Sequence, residues 1–133
     1  MNSVEIEVRD LRVVYAREDI EALRDVEFRV YRGEFLVVLG PSGCGKTTLL
    51  NAMAGLLKYR RDVVVEGSIS IGGVDVLKTS NPPPIGYVTQ RDTLLPWRTV
   101  LKNVELGLEI RGVPESERTE IAERLLETVG PVS

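Results

Sequence analysis

The stretch that most constrains this chain is Gly40-Pro41-Ser42-Gly43-Cys44-Gly45-Lys46-Thr47, with Thr48 behind it. It follows an apolar run, Phe35-Leu36-Val37-Val38-Leu39. It opens into a segment of helical spacing from Thr48 to Leu57, where Leu49, Leu50, Met53, Ala54 and Leu57 recur. An apolar strand, a glycine turn, Lys-Thr and a helix is the arrangement that wraps a phosphate chain. Phosphate oxygens need donors that point inward, and backbone N–H groups supply them only where no side chain blocks the approach. Gly40, Gly43 and Gly45 permit both the turn and the approach, and the helix start adds unpaired N–H groups and the positive end of its dipole. Lys46 is placed to bridge β- and γ-phosphates, Thr47 to offer its hydroxyl to Mg²⁺, and Thr48 to reach the α-phosphate. A glycine turn that merely caps a helix is the bland alternative. A dinucleotide fingerprint is disfavoured, because the residue two after Gly40 is Ser42.

The 133 residues bound the chain to a single domain, and 43% hydrophobic residues are enough to fill one core. With 17 basic and 20 acidic side chains, interspersed along the chain, the net charge is −3, and nothing calls for a nucleic-acid partner. The single cysteine excludes an internal disulfide framework, and a reducing compartment fits. Histidine is absent, which removes histidine general bases and histidine metal ligands. No apolar run is long enough to span a membrane, and the first residues do not read as a signal peptide.

Val4-Glu5-Ile6-Glu7-Val8 alternates as a half-buried strand does, bends at Asp10, and continues extended from Leu11 to Tyr15. Val26 to Tyr31 alternates again. With the turn Arg32-Gly33-Glu34 it predicts a hairpin to a core strand over residues 35–39, a run suited to cover on both faces. Lys58 to Asp62 reads as a basic, exposed connection. Val63-Val64-Val65 and Gly67 to Ile71 read as two short strands or one bent one, and residues 81–84, Asn-Pro-Pro-Pro, as a stiff surface loop. Ile85-Gly86-Tyr87-Val88 reads as a core strand. From an N-cap at Thr99 the spacing turns helical, with Val100, Leu101, Val104 and Leu108 on one side. Gly112 stops that helix, and Pro114 starts another over residues 115–129, with Ile121, Ala122, Leu125, Leu126 and Val129 as its apolar stripe and Glu120–Arg124 as a surface pair.

From Gly33 through the glycine loop to Leu50, and again at Ala54-Gly55-Leu56, the chain resembles the ATP-binding subunit of ABC transporters in its Walker A region. Two further segments match. Tyr15 falls at the A-loop aromatic, and the resemblance implies that it stacks on adenine; a core tyrosine is the alternative. Ile85-Gly86-Tyr87-Val88-Thr89-Gln90 resembles the strand into the Q-loop, which implies that Gln90 reaches Mg²⁺ and the attacking water; an idle strand-end glutamine is the alternative. Leu94-Leu95-Pro96-Trp97-Arg98 and the residues after it look like the importers of nitrate, sulfonate and taurine. In the family this region faces the transmembrane partner, so Trp97 is either a docking anchor or a lid on a satellite core. Cys44 reads as a small loop residue without chemistry of its own.

The resemblance implies an α/β fold: a P-loop NTPase core with an N-terminal antiparallel β-subdomain and the start of a helical subdomain, incomplete at the C-terminus. It places a β-rich nucleotide-binding core at residues 1–98 and the start of the helical subdomain at 99–133. It implies ATP and Mg²⁺ as ligands, held by Tyr15, by the loop Gly40, Pro41, Ser42, Gly43, Cys44, Gly45, Lys46, Thr47 and Thr48, and by Gln90, with Lys46 and Gln90 taking part in catalysis. It implies transmembrane permease subunits docking near Arg91 to Arg98, a second ATP-binding subunit, and a cytoplasmic, peripheral position on the inner face of the membrane. The family's signature, its Walker B strand and its switch histidine do not occur in these residues. The expectation is therefore a truncated subunit of a solute importer that binds Mg-ATP without turning it over at a family-like rate. A non-catalytic, partner-docking module and a different P-loop enzyme such as a small-molecule kinase are the competing readings.

Overall fold

A computed structural model describes residues 3–130, which fall into two compact units divided between Tyr87 and Val88. The first is built on an antiparallel sheet. β1 (Val4–Tyr15) turns through residues 16–19 into β2 (Ile20–Tyr31). After α1 (Lys46–Met53) come β3 (Val63–Ile71) and β4 (Val74–Asp75), and the strand order is β2-β1-β3-β4.

The sheet's core face depends on bulges. A strict two-residue period would set Val8 and Leu11 on opposite faces. An extra residue at Asp10, with φ 49°, breaks the register there, so that Val8, Leu11 and Val13 are all fully buried. β2 carries a second such residue, Asp25 with φ 48°, between buried Leu23 and half-buried Val26. Opposite the first bulge, β3 presents Gly67 at φ 98°. A Cβ there would lie 2.4 Å from the Asp10 carbonyl oxygen and 2.6 Å from that of Arg9, so bulge and glycine are a matched pair. Away from the core, Arg12 of β1 donates to Glu21 of β2 at 2.7 Å and reaches Glu66 of β3 at 3.5 Å.

Leu49 and Ala52 of α1, together with Leu57 and Val76, close the core over Val8, Leu11, Val13, Leu23 and Ile69. The helix is shorter than its apolar spacing predicts. It begins at Lys46 and ends at Met53, because Gly55 takes φ 76°. The N–H groups of Gly55 and Leu56 then bond back to Ala52 and Asn51 at 3.1 and 2.9 Å, which terminates the helix. Leu57 is buried from the turn that follows. Leu50, expected on the inner face, is 48% exposed.

The most apolar stretch departs from its predicted place. Residues 35–39 form no strand, and Phe35 and Leu39 are 91% and 86% exposed. The predicted hairpin is absent as well: β2 pairs with β1. The Tyr31 N–H, which a returning strand would need, is taken by the Glu34 carboxylate at 2.7 Å. Among the described residues no strand offers a ladder to residues 35–39, and an extended segment without a partner gains nothing from its apolar side chains. Residues 85–88 also form no strand, and Ile85 and Val88 are exposed.

The second unit is a helix pair preceded by an irregular segment. α2 (Val100–Ile110) is capped by Thr99, whose hydroxyl accepts from the Lys102 N–H at 3.2 Å, and α3 (Glu115–Val129) starts after Pro114, both as the sequence predicts. The Glu120–Arg124 pair forms at 3.5 Å. The contact between the helices is less apolar than the predicted stripes. Val100, Leu125 and Val129 are exposed, and Ala122 and Glu105 are the buried residues of the pair.

Glu105 is fully buried, and the side chains it pairs with are themselves partly exposed. Its carboxylate accepts from the Thr119 hydroxyl at 2.6 Å and from Lys102 Nζ at 3.1 Å, and Arg118 Nε lies 3.6 Å away. The Thr119 hydrogen bond, followed by the Lys102 hydrogen bond and the charges of Lys102 and Arg118, outweighs desolvation and holds this carboxyl below the usual glutamate range. A buried acid flanked by two cations is the polar substitute for an apolar seam.

Candidate functional site

Residues 40–45 lead directly into the N-terminus of α1. Gly43 and Gly45 adopt φ 81° and 97°, the left-handed region that a side chain resists. At Gly45 space is short too: a Cβ would lie 2.7 Å from the Ala22 carbonyl oxygen, so β2 backs the loop closely. At Gly40 a Cβ would lie 2.6 Å from Cys44 Sγ. The Cys44 N–H closes a turn to the Pro41 carbonyl at 3.3 Å, and Ser42 and Gly43 form the exposed tip between them.

The first-turn donors of α1 face no acidic or capping side chain. The helix's backbone bonding starts with Leu49 N–H to Gly45 at 2.9 Å, so the N–H groups of Lys46, Thr47 and Thr48 have no carbonyl a turn earlier. The Lys46 ammonium curls back on the loop, donating to the Gly40 carbonyl and lying 3.4 Å from that of Pro41. Thr47 presents an exposed hydroxyl, whereas Thr48 is buried. Free first-turn N–H groups, a glycine backbone and one lysine cation suit a polyanion such as a nucleotide's phosphate chain. The exposed Thr47 hydroxyl suits a hard cation accompanying it.

Tyr15 ends β1, and its hydroxyl lies 2.9 Å from Thr48 Oγ1, across 33 residues of sequence. The sheet thus brings an aromatic ring to the first turn of the loop's helix. Tyr15 is half-buried and stands outside the apolar core cluster. Gln90 is exposed and belongs to the second unit.

In that unit, residues 94–99 are organised by Asn103. Its Oδ1 accepts from the Leu95 N–H at 2.8 Å, and its Nδ2 donates to the carbonyls of Leu95 and Thr99 at 3.2 and 3.0 Å. Arg98 is pinned to Glu109 at 2.7 Å. Held this way, the segment presents Leu94 and Trp97 at 63% and 76% exposure beside a largely apolar cleft of about 380 Å³. Among the described residues nothing covers Trp97 closely.

Against protein families, residues 23–133 match the ABC transporter model. The chain belongs to the ABC transporter family. It is 48% identical over 111 residues to an uncharacterised ABC transporter ATP-binding protein of Methanocaldococcus jannaschii, covering 84% of this chain and 39% of that protein. It is 46% identical over 111 residues to the taurine import ATP-binding protein TauB of Escherichia coli strain K12, covering 82% of this chain and 40% of TauB. The chain therefore spans about two fifths of the length of these curated relatives. Among solved structures it resembles the dimeric ATP-binding cassette MJ0796 in a post-hydrolysis state bound to ADP and Pi. The TM-score is 0.76 and the identity 30%, over 92% of this chain and 56% of that one. The antiparallel sheet with its helices is therefore the fold of part of an ABC ATPase, and the α/β expectation holds.

Three polar contacts around these family segments escape a reading of the sequence. Tyr87 donates to Asn51 Oδ1 of α1 at 2.6 Å. Asn103 clamps its loop, although a lone asparagine in a helix's first turns is the one signal for it. Arg60 and Asp62, which read as part of an exposed basic connection, form a forked pair with Nη2···Oδ2 at 2.8 Å, and the Arg60 guanidinium lies 5.6 Å from the centroid of the Tyr15 ring.

Proposed function

We propose that this chain is the nucleotide-holding part of an ATP-binding component of an ABC-type importer, and that its ligand is Mg-ATP. The loop Gly40 to Gly45 and the first-turn N–H groups of α1 hold the phosphates. Lys46 swings from its carbonyl contacts to the β- and γ-phosphates, and Thr48 serves the α-phosphate. Thr47 ligates Mg²⁺, which supplies charge neutralisation at the phosphate chain. Tyr15 stacks on adenine, and Gln90 serves the metal and the attacking water. Transmembrane permease subunits dock near Arg91 to Arg98, with Trp97 as the anchor, and a second ATP-binding subunit is the other partner. The position is peripheral, on the cytoplasmic face. Among the described residues no helix is long and apolar enough to cross a membrane. The names of the taurine import relatives support the importer role, and the ADP and Pi of the structural relative support the ligand class.

The observation that carries this reading is the 2.9 Å contact between Tyr15 and Thr48. A phosphate loop alone suits any polyphosphate, whereas a phosphate loop with an aromatic ring at its helix suits a polyphosphate that carries a flat base.

The test is equilibrium binding of Mg-ATP to the wild type and to Lys46→Ala. Loss of a charge-assisted bond predicts affinity weaker by about 10- to 100-fold in the variant. Equal affinity in both would leave the loop without its assigned role.

A further inference from the structure

We propose that Arg60, clamped by Asp62, is a positioning residue for Tyr15, fixing the ring against which the nucleotide base stacks. The inference rests on the reading of Tyr15 as the base-stacking aromatic and adds the residues that hold it in place.

Three constraints converge on the ring. At its hydroxyl end it is tied to Thr48 at 2.9 Å. Its backbone is held where β1 ends: Tyr15 pairs with Val63, and the next N–H, that of Ala16, donates to the Asp62 carbonyl at 2.8 Å. The Arg60 guanidinium lies 5.6 Å from the ring centroid, within the range at which a cation is drawn to an aromatic face. That guanidinium is itself fixed, with Nε donating to Asp62 Oδ1 at 3.2 Å and Nη2 to Oδ2 at 2.8 Å. Asp62 therefore grips both the chain after Tyr15, through its carbonyl, and the cation on the ring, through its carboxylate.

The pairing also limits what Arg60 can do. Its charge is largely answered by Asp62, so it offers little attraction to phosphates at a distance. Its action is local, on the orientation of one ring. Without it, the ring loses one of the contacts that fix its orientation, and the base meets a less ordered platform.

The experiment measures the affinity of the chain for Mg-ATP and for Mg-tripolyphosphate, which has the phosphates but no base. The proteins are the wild type, Arg60→Ala, Arg60→Lys, Tyr15→Ala and the double variant Arg60→Ala/Tyr15→Ala. In Arg60→Ala, ATP is expected to bind about two- to five-fold more weakly, with tripolyphosphate unchanged. Arg60→Lys, which keeps a cation but not the fork, is expected to fall between. In the Tyr15→Ala background the Arg60 substitution is expected to have no further effect. Three outcomes overturn the proposal: equal losses for ATP and tripolyphosphate, an ATP affinity that rises in Arg60→Ala, or an Arg60 effect that persists without Tyr15. Unchanged ATP affinity in Tyr15→Ala refutes the base-stacking reading itself, whereas weakening in Tyr15→Ala but not in Arg60→Ala refutes only the role of Arg60.

Discussion

Two apolar stretches of the first unit have opposite fates. In β1, Val8, Leu11 and Val13 are interleaved with Glu7, Arg9, Asp10 and Arg12, yet all three are fully buried. Residues 35–39 are apolar throughout, yet none of them is buried. The difference lies in the neighbours. β1 has β2 on one edge and β3 on the other, so its peptide groups are paired and its side chains are delivered to one face. No described strand reaches residues 35–39. Hydropathy sets what burial is worth; a paired backbone decides whether it is collected.

The contrast can be broken most forcefully from the buried side. Leu11→Ala is expected to destabilise the first unit by about 3 kcal/mol in urea unfolding, because the site is walled by strands that cannot collapse into the space. A loss under about 1 kcal/mol would mean that β1 is not the centre of the core. Gly67→Ala tests the bulge that makes β1 work. A Cβ facing the Asp10 carbonyl, at a φ of 98°, is expected to cost about 2 kcal/mol. If the variant is as stable as the wild type, the bulge and the glycine are not coupled.

The second unit provides a third case, burial without apolarity. Thr119 and Arg118 of α3 and Lys102 of α2 face Glu105, while Glu115 shares Lys102, and Arg98 is occupied by Glu109. Because these partners lower the folded-state pKa of Glu105, its contribution is full above the unfolded glutamate range of about pH 4. It is lost as pH falls through the lower folded value. Glu105→Gln is expected to lower the melting temperature of the helices by several degrees near neutral pH and by less in acid, read by helical circular dichroism. An equal drop at both pH values would remove charge from the explanation.

The smallest effect is expected at the exposed stretch. Val37→Thr should change stability by less than about 0.5 kcal/mol while reducing the binding of an apolar dye such as ANS. A large destabilisation there would show that residues 35–39 are packed after all, and the contrast with β1 would fail.

Much of the candidate site could be read from the chain because its residues are close in sequence. Gly40, Gly43 and Gly45 before Lys46 are a local pattern, and the backbone they build needs few partners beyond themselves. The bend at Asp10, the cap at Thr99 and the stop at Gly112 were likewise local. The strands predicted at 35–39 and 85–88 were not, since a strand is defined by its neighbour, and apolar content carries no record of whether one arrives. Apolar spacing overstates the length of α1 for a related reason: Leu57 has the spacing of a helical core residue, but Gly55 ends the helix and the chain buries Leu57 from the turn.

By itself the sequence determined the glycine loop, the lysine and threonines at its end, and the starts and stops of α2 and α3. Each depends on backbone freedom, capping or periodicity within a few residues. The tertiary structure alone decided which apolar segments became core, that an acid would sit between α2 and α3, and that Tyr15 would meet Thr48 and lie beneath Arg60. In the first unit those outcomes require groups tens of residues apart to share one place, and the pairing of β1 with β2 and β3, with its bulges, brings them there; in the second, the packing of α3 on α2 sets Thr119 and Arg118 beside Glu105.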